Sequence, residues 1–337
     1  MQALDLERFS LRGLLGNGAT YEVYEAIDRE TGQDVVLKRP WAQCLRGGQH
    51  RSIDEQSARL IEAQRLLSGV APHISRLIGY AGRGRHDSYF GDSLPQEYYV
   101  LVEERARGVP LVADIKDKFR GAPIGLGQNL FALYPLISGA ADGAGSVFEQ
   151  LLDVEEAFAR VNYLILDLRP QNVYFDPRRG ETTVIDLGTL VDTQDVSGNR
   201  PAPDVHDCLA ELCKYYLAPH SPPTQLKGYR EPFGMGPALG FSKELDRMIQ
   251  ACASLSPGPL RDVVGGMLQR LKRRDYGSIA SFRRDLRQYL ALRDERNRGL
   301  QDFPSLVGVW RDGMGLLRDK YWRKYLFNPD ADLARYA

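Results

Sequence analysis

The chain has no excess of charge of either sign: 44 Lys and Arg balance 44 Asp and Glu over 337 residues, for a formal net charge of zero. Without a basic surplus no long-range field draws it to nucleic acid or to an anionic membrane, and neither is expected as a partner. The local basic stretch from Arg270 to Arg287 reads as the wet face of helices. Cysteine is scarce, with Cys44, Cys208, Cys213 and Cys252 and no C-x-x-C pair, which excludes a disulfide scaffold. His206 lies two positions before Cys208, too little for a metal site, so reduced and mostly buried thiols are expected. The opening M-Q-A-L-D-L-E-R-F-S has no basic stretch followed by an apolar one, and no run approaches about 18 apolar residues. Neither a signal peptide nor a transmembrane helix is expected, and the setting is read as cytoplasmic. What is present is ordinary globular composition, 43% apolar and 26% charged, enough to bury a core without metal or disulfide. The length suits two domains or one domain of two lobes.

The first hundred residues read mainly as strands. Leu11 to Leu15, a glycine-rich turn, Tyr21 to Asp28, the turn Glu30 to Gln33, and Val35 to Lys38 make a meander. Helical spacing then fits Ile53 to Leu67. Ile74 to Tyr80 and Tyr98 to Val102 are further strands, with Gly82 to Pro95 read as a mobile loop between them. After Gly108 helices dominate, at Leu126 to Ile137, Phe148 to Arg160, and about 205–217, 242–254, 259–272 and 278–294. Between them lie two short apolar runs, Tyr163 to Leu168 and Thr183 to Leu187. In the tail, Trp310, Tyr321, Trp322 and Tyr325 suggest a helix docked on the body or on a partner.

Gly16-Asn17-Gly18-Ala19-Thr20-Tyr21-Glu22-Val23 falls between two strands. Glycines there let backbone N–H groups approach phosphate oxygens, although a plain hairpin turn explains these residues equally well. Lys38, fifteen positions after Val23, places a cation where the sheet meets such phosphates. Glu62 on the next helix is the carboxylate expected to hold Lys38 extended, with Glu55 as its competitor. The strongest local signal is Tyr163-Leu-Ile-Leu-Asp-Leu-Arg-Pro-Gln-Asn172, followed fourteen positions later by Asp186 in Val184-Ile-Asp-Leu-Gly188. Two carboxylates and a carboxamide on neighbouring strand ends can hold Mg²⁺ and still keep one carboxylate as a base.

Taken in order, these motifs resemble the eukaryotic-type (Hanks-type) protein kinase superfamily over about residues 9 to 290, in a divergent form of bacterial kind. The resemblance implies an α+β, bilobal kinase-like fold: a small antiparallel sheet with one helix in residues 1–103, and a mainly helical lobe in residues 104–297. The aromatic-rich extension, 298–337, lies beyond it. It implies ATP and Mg²⁺ as cofactors, with Gly16, Asn17, Gly18, Val23 and Lys38 around the nucleotide. Glu62 would be the lysine's partner, and Glu103 to Gly108 the hinge that carries the adenine. Asp167 fits the catalytic aspartate, Arg169 the nearby cation, and Asn172 and Asp186 the metal ligands. Asp204-Val-His-Asp-Cys-Leu looks like the start of the long buried helix of the second lobe, and Tyr276-Gly-Ser-Ile-Ala-Ser-Phe-Arg-Arg-Asp-Leu resembles its last helix.

The departures are specific. Tyr21 stands for the third glycine, and Ile165 and Leu166 for the usual His and Arg before the aspartate. Arg169 replaces a Lys, and Leu187 a Phe. Without that Arg, activity is expected not to depend on phosphorylation within residues 189–199. From Asp186 to Asp204 only 18 positions remain for the activation segment, with Arg200-Pro-Ala-Pro203 as its nearest remnant. The expected function is phosphoryl transfer to a hydroxyl, foremost as a Ser/Thr protein kinase. The alternatives are a kinase-fold enzyme for a small-molecule acceptor and a nucleotide-binding pseudokinase scaffold. The extra chain at 119–145 and the C-terminal extension are the expected partner surfaces.

Overall fold

The computed structural model describes residues 2–18, 20–46, 50–67, 71–111, 118–119, 122–123, 146–176, 179–187, 189–194, 203–217, 232–233 and 240–299. The chain begins with a two-residue strand, β1 (Gln2–Ala3), and a 3-10 turn at Leu6–Arg8. The residues that follow close as a hairpin of β2 (Phe9–Asn17) and β3 (Tyr21–Asp28), paired from Phe9 opposite Asp28 to Asn17 opposite Glu22 with register shifts between Leu11 and Gly13 and between Leu14 and Gly16. β4 (Asp34–Pro40) returns along β3. The turn between them is held by Asp28, which accepts from Thr31 Oγ1 at 2.8 Å and from Glu30 N at 3.0 Å, with Gly32 at φ 69°. Arg8 grips the same carboxylate, and those hydrogen bonds hold the Asp28 carboxyl far below its ordinary range.

Short α1 (Ala42–Arg46) leads to α2 (His50–Leu66). Ile53, Ser57, Leu60 and Gln64 are buried at helical spacing and form the inner stripe of α2. β5 (Leu77–Gly84) and β6 (Tyr98–Glu104) complete a sheet of order β1-β5-β6-β4-β3-β2. Its last five strands are mutually antiparallel, and β1 joins β5 in parallel.

The stretch read as a mobile loop, Gly82 to Pro95, is not a bare connection. It contains α3 (Asp87–Phe90) and lays Phe90 and the buried Leu94 on the sheet. What anchors it is Arg39, 1% exposed, whose guanidinium meets Asp92 at 2.5 Å and Glu22 at 2.7 Å and lies 4.5 Å from the centroid of Phe90. A buried guanidinium requires such anions, and a segment that supplies one is fixed by it.

The second half is mainly helical. β7 (Val109–Pro110) crosses into it, followed by the pair β8 (Lys118–Phe119) and β9 (Ala122–Pro123). α4 (Val147–Ala159) starts on a reciprocal cap between Ser146 and Glu149. Then come β10 (Tyr163–Ile165), β11 (Val173–Asp176), β12 (Glu181–Val184) and β13 (Leu190–Asp192). They form the sheets β10-β13 and β12-β11-β7. Four helices close the chain: α5 (Val205–Tyr216), α6 (Phe241–Ala253), α7 (Pro259–Lys272) and α8 (Ile279–Arg298). Each begins and ends within a few residues of the periodic segments read from the sequence. The arginines between 270 and 287 are more than a wet face. Arg270 pairs with Asp285, Arg274 with Asp204 and Asp207, Arg283 with Asp153 and Glu156, and Arg287 with Glu149, tying α8 to α4 and α7 to α5. The architecture is α+β, with an antiparallel sheet and then a helical half, compatible with the bilobal kinase-like arrangement that the resemblance implied.

Backbone contacts pack the chain tightly around the junction of the halves. Ser75 N donates to Val184 O at 2.7 Å and Val184 N to His73 O at 2.8 Å, so the chain after α2 pairs with β12. Gly108, at φ 80°, lies so close to β11 that an added Cβ would fall 2.0 Å from the carbonyl oxygen of Phe175. Gly108→Ala is therefore expected to lower stability by more than about 2 kcal/mol, from the left-handed backbone and the clash together. Urea unfolding measures it, and an unchanged midpoint would contradict this packing.

The four cysteines are unbridged. Among the described residues no helix is long and apolar enough to cross a membrane. The expected helix at 126–137, the aromatic tail, the Arg200–Pro203 remnant and most of the 119–145 stretch lie outside the described residues.

Candidate active site

Strand pairing decides which side chains share the cleft. Val23 is opposite Lys38 and Lys38 opposite Leu101, so Val23, Lys38 and Glu103, two residues past Leu101, occupy one face of the sheet. Lys38 is 7% exposed and Glu103 2%. The ammonium meets Glu103 Oε2 at 2.9 Å and also donates to the main-chain carbonyl of Ile185. Asp186 follows that carbonyl. Burial works against the Lys38 ammonium, and the charges of Glu103 and Asp186 outweigh it, so its pKa is raised and it stays charged. The Ser75 hydroxyl, bonded to the carbonyl of Glu104 at 2.6 Å, lies beside the Glu103 carboxylate.

The segment after β10 brings the polar residues beneath this cluster. Tyr216 of α5 donates its hydroxyl to the carbonyl of Leu168. Asn172 Nδ2 donates to the carbonyl of Asp167 at 3.1 Å, and its backbone N–H to Arg169 O at 2.8 Å. Ile185 N in turn donates to the carbonyl of Asn172 at 2.9 Å, which sets Asp186 beside Asn172. With Nδ2 committed to the loop, Oδ1 is the Asn172 atom that can meet a cation. Asp167 and Arg169 form a two-pronged ion pair, with Nη2 to Oδ2 at 2.8 Å. That hydrogen bonding pushes the Arg169 pKa further up.

Gly16, Asn17 and Gly18 form the tip of the β2–β3 hairpin, closed by Gly18 N donating to Tyr21 O at 2.8 Å. Among the described residues, packing does not require glycine here: a Cβ on Gly16 would meet nothing within 4 Å, and one on Gly18 only the Tyr21 carbonyl at 3.5 Å. Open space over backbone N–H groups suits close approach by a ligand.

Two expected placements are corrected. Glu62 does not hold Lys38; it forms an exposed pair with Arg65 on its own helix, at 2.7 Å. Position 62 lies off the inner stripe of 53, 57, 60 and 64, and the sheet supplies the carboxylate instead. Glu103, expected in the adenine hinge, belongs to β6 with its side chain committed to Lys38, so any hinge begins after Glu104. The competitor Glu55 is exposed. What sequence order missed was the pairing of Glu103 with Lys38. Its signal was a carboxylate ending the apolar run Val100-Leu-Val102, where a buried charge calls for a partner on the facing strand.

A residue the sequence reading did not single out is Glu155 on α4, 1% exposed, whose Oε2 accepts from Ile165 N on β10 at 3.3 Å, with Cys208 beside it. Burial pushes its pKa up to about 8, against the hydrogen bonds from Ile165 and Cys208. The folded state thus keeps a proton that the unfolded chain releases near pH 4.5. Its contribution to stability is complete below that value and is lost as pH rises toward 8, at about 1.4 kcal/mol per pH unit. Glu155→Gln stays neutral and is expected to remove that slope from urea unfolding between pH 5 and 8. An unchanged slope would contradict the assignment.

No family model matches the chain. Among curated proteins, one named "Putative cyclin-dependent kinase F-2", from Oryza sativa subsp. japonica, is 28% identical over 185 residues, 54% of this chain and 47% of that protein. The chain spans about half the length of the curated relative it matches. The likeness supports a protein kinase-like relationship; it lends no support to a bacterial origin.

Proposed function

We propose that this cleft binds ATP with Mg²⁺ and transfers its terminal phosphoryl group to a hydroxyl, foremost on a Ser or Thr of a protein. The observation that carries the reading is the convergence of a buried, charge-balanced Lys38, the Ile185–Asp186 segment, and a glycine hairpin whose open space no described residue fills. The Asp186 carboxylate and Asn172 Oδ1 are hard oxygen donors, few enough to leave places for water and phosphate oxygens, as Mg²⁺ prefers. When bound, the ion would neutralise charge between the outer phosphates.

The hairpin N–H groups and Lys38 orient the phosphates. Arg169 now grips Asp167 with two N–H groups and can exchange that carboxylate for phosphoryl oxygens of matching geometry. Its departure frees Asp167 to accept the proton of the acceptor hydroxyl, while that oxygen bonds to phosphorus and the bond to the nucleoside diphosphate breaks. Positioning and electrostatics supply the acceleration. Ile165, buried at 1% exposure, gives the loop no cation where the resemblance places His and Arg, so loop order rests on Tyr216 and Asn172.

Incubation with γ-labelled ATP and Mg²⁺ tests the reading. Label on this protein or on an added protein supports a protein kinase. Label only in small molecules supports the small-acceptor reading. Nucleotide binding without label transfer leaves a pseudokinase scaffold.

A further inference from the structure

Helix α2 does not hold Lys38, but it does hold Tyr21. Tyr21 starts β3 two residues before Val23, on the face that also carries Lys38. It is 8% exposed, and its hydroxyl lies 2.9 Å from the hydroxyl of Ser57, itself 1% exposed on the inner stripe of α2. The charges of Asp186 and Glu103 both reach the phenol, and burial keeps it protonated. The side chain therefore runs from the glycine hairpin to α2 past the Lys38–Asp186 cluster. A glycine at this position would leave that ground open.

We propose that Tyr21 is a specificity-determining residue of the nucleotide site: bonded to Ser57, its ring occupies the ground that the terminal phosphates of a triphosphate would cross. The proposal rests on the nucleotide reading above. A triphosphate binds only after the ring has left its buried position, so its apparent affinity is lowered by the fraction of molecules in which the ring is displaced. Adenosine ends short of that ground and is indifferent to the ring. The neutral phenol also offers no charge to replace the phosphate contacts it blocks.

The test is calorimetric titration of ATP with Mg²⁺, and separately of adenosine, into the full chain and into Tyr21→Gly, Tyr21→Phe and Ser57→Ala. Tyr21→Gly is expected to tighten ATP about tenfold or more while adenosine changes less than about twofold. Tyr21→Phe and Ser57→Ala keep the ring and lose only its anchor. They are expected to shift ATP the same way by a smaller factor, and they carry the test if the glycine variant does not fold. ATP binding unchanged or weakened in all three, with adenosine unaffected, would reduce Tyr21 to packing and overturn the proposal. Failure of adenosine and ATP alike to bind any of the four folded proteins would instead bring down the nucleotide reading, and this proposal with it.

Discussion

Glu103→Ala is expected to destabilise the protein by about 3 kcal/mol and to raise the KM for ATP, whereas Glu62→Ala should change neither measurably. The first removes an anion 2.9 Å from a buried ammonium, and a buried charge left without its partner costs about 3 to 5 kcal/mol. Asp186 still acts on Lys38, which sets the expectation at the lower end of that range. The second removes half of an exposed pair between residues three apart on one helix, of the kind that contributes little. Urea unfolding and steady-state kinetics on both variants read the contrast. Equal effects, or a larger effect at Glu62, would return the helix to the role that the sequence order implied and contradict the strand partner.

Asp167→Asn is expected to lower kcat by about 10²- to 10⁴-fold with little change in the KM for ATP. The amide keeps the size and the backbone contacts of the loop but cannot take the hydroxyl proton. It also releases Arg169 from its two-pronged pair, so that the cation is free before phosphate arrives. A variant that kept its rate would remove Asp167 from the chemistry. One that lost nucleotide affinity in proportion to rate would make the residue a binding group instead.

What the sequence made legible was short-range. The hairpin around Gly16, the strand ending in Lys38, and the loop from Tyr163 to Asn172 with Asp186 beyond it are each written in contiguous residues, and the fold sets them side by side. The four C-terminal helices were equally readable, because their apolar stripes repeat with the helical period and Asp204 caps the first of them. What failed were partnerships across the fold. Glu103 meets Lys38 because β4 and β6 pair with Val36 opposite Glu103, a register that neither strand states alone. Glu62 misled because order along the chain does not give a helix's rotation, and the buried stripe of α2 passes through Ser57 instead. The stretch from Gly82 to Pro95 looked featureless because its structure depends on Arg39, far away in sequence, rather than on any local period. Tyr21 was noticed as a departure, yet its direction became visible only with Ser57 in place.

The most direct measurement is Mg²⁺-dependent transfer from γ-labelled ATP by the wild-type chain beside Asp186→Ala, with circular dichroism showing that both are folded. The wild type is expected to transfer label and the variant to lose about 10³-fold, about 4 kcal/mol of transition-state stabilisation, as follows when a preorganised charge at the reacting phosphate is removed. Undiminished transfer by folded Asp186→Ala would show that the chemistry lies elsewhere and contradict the site.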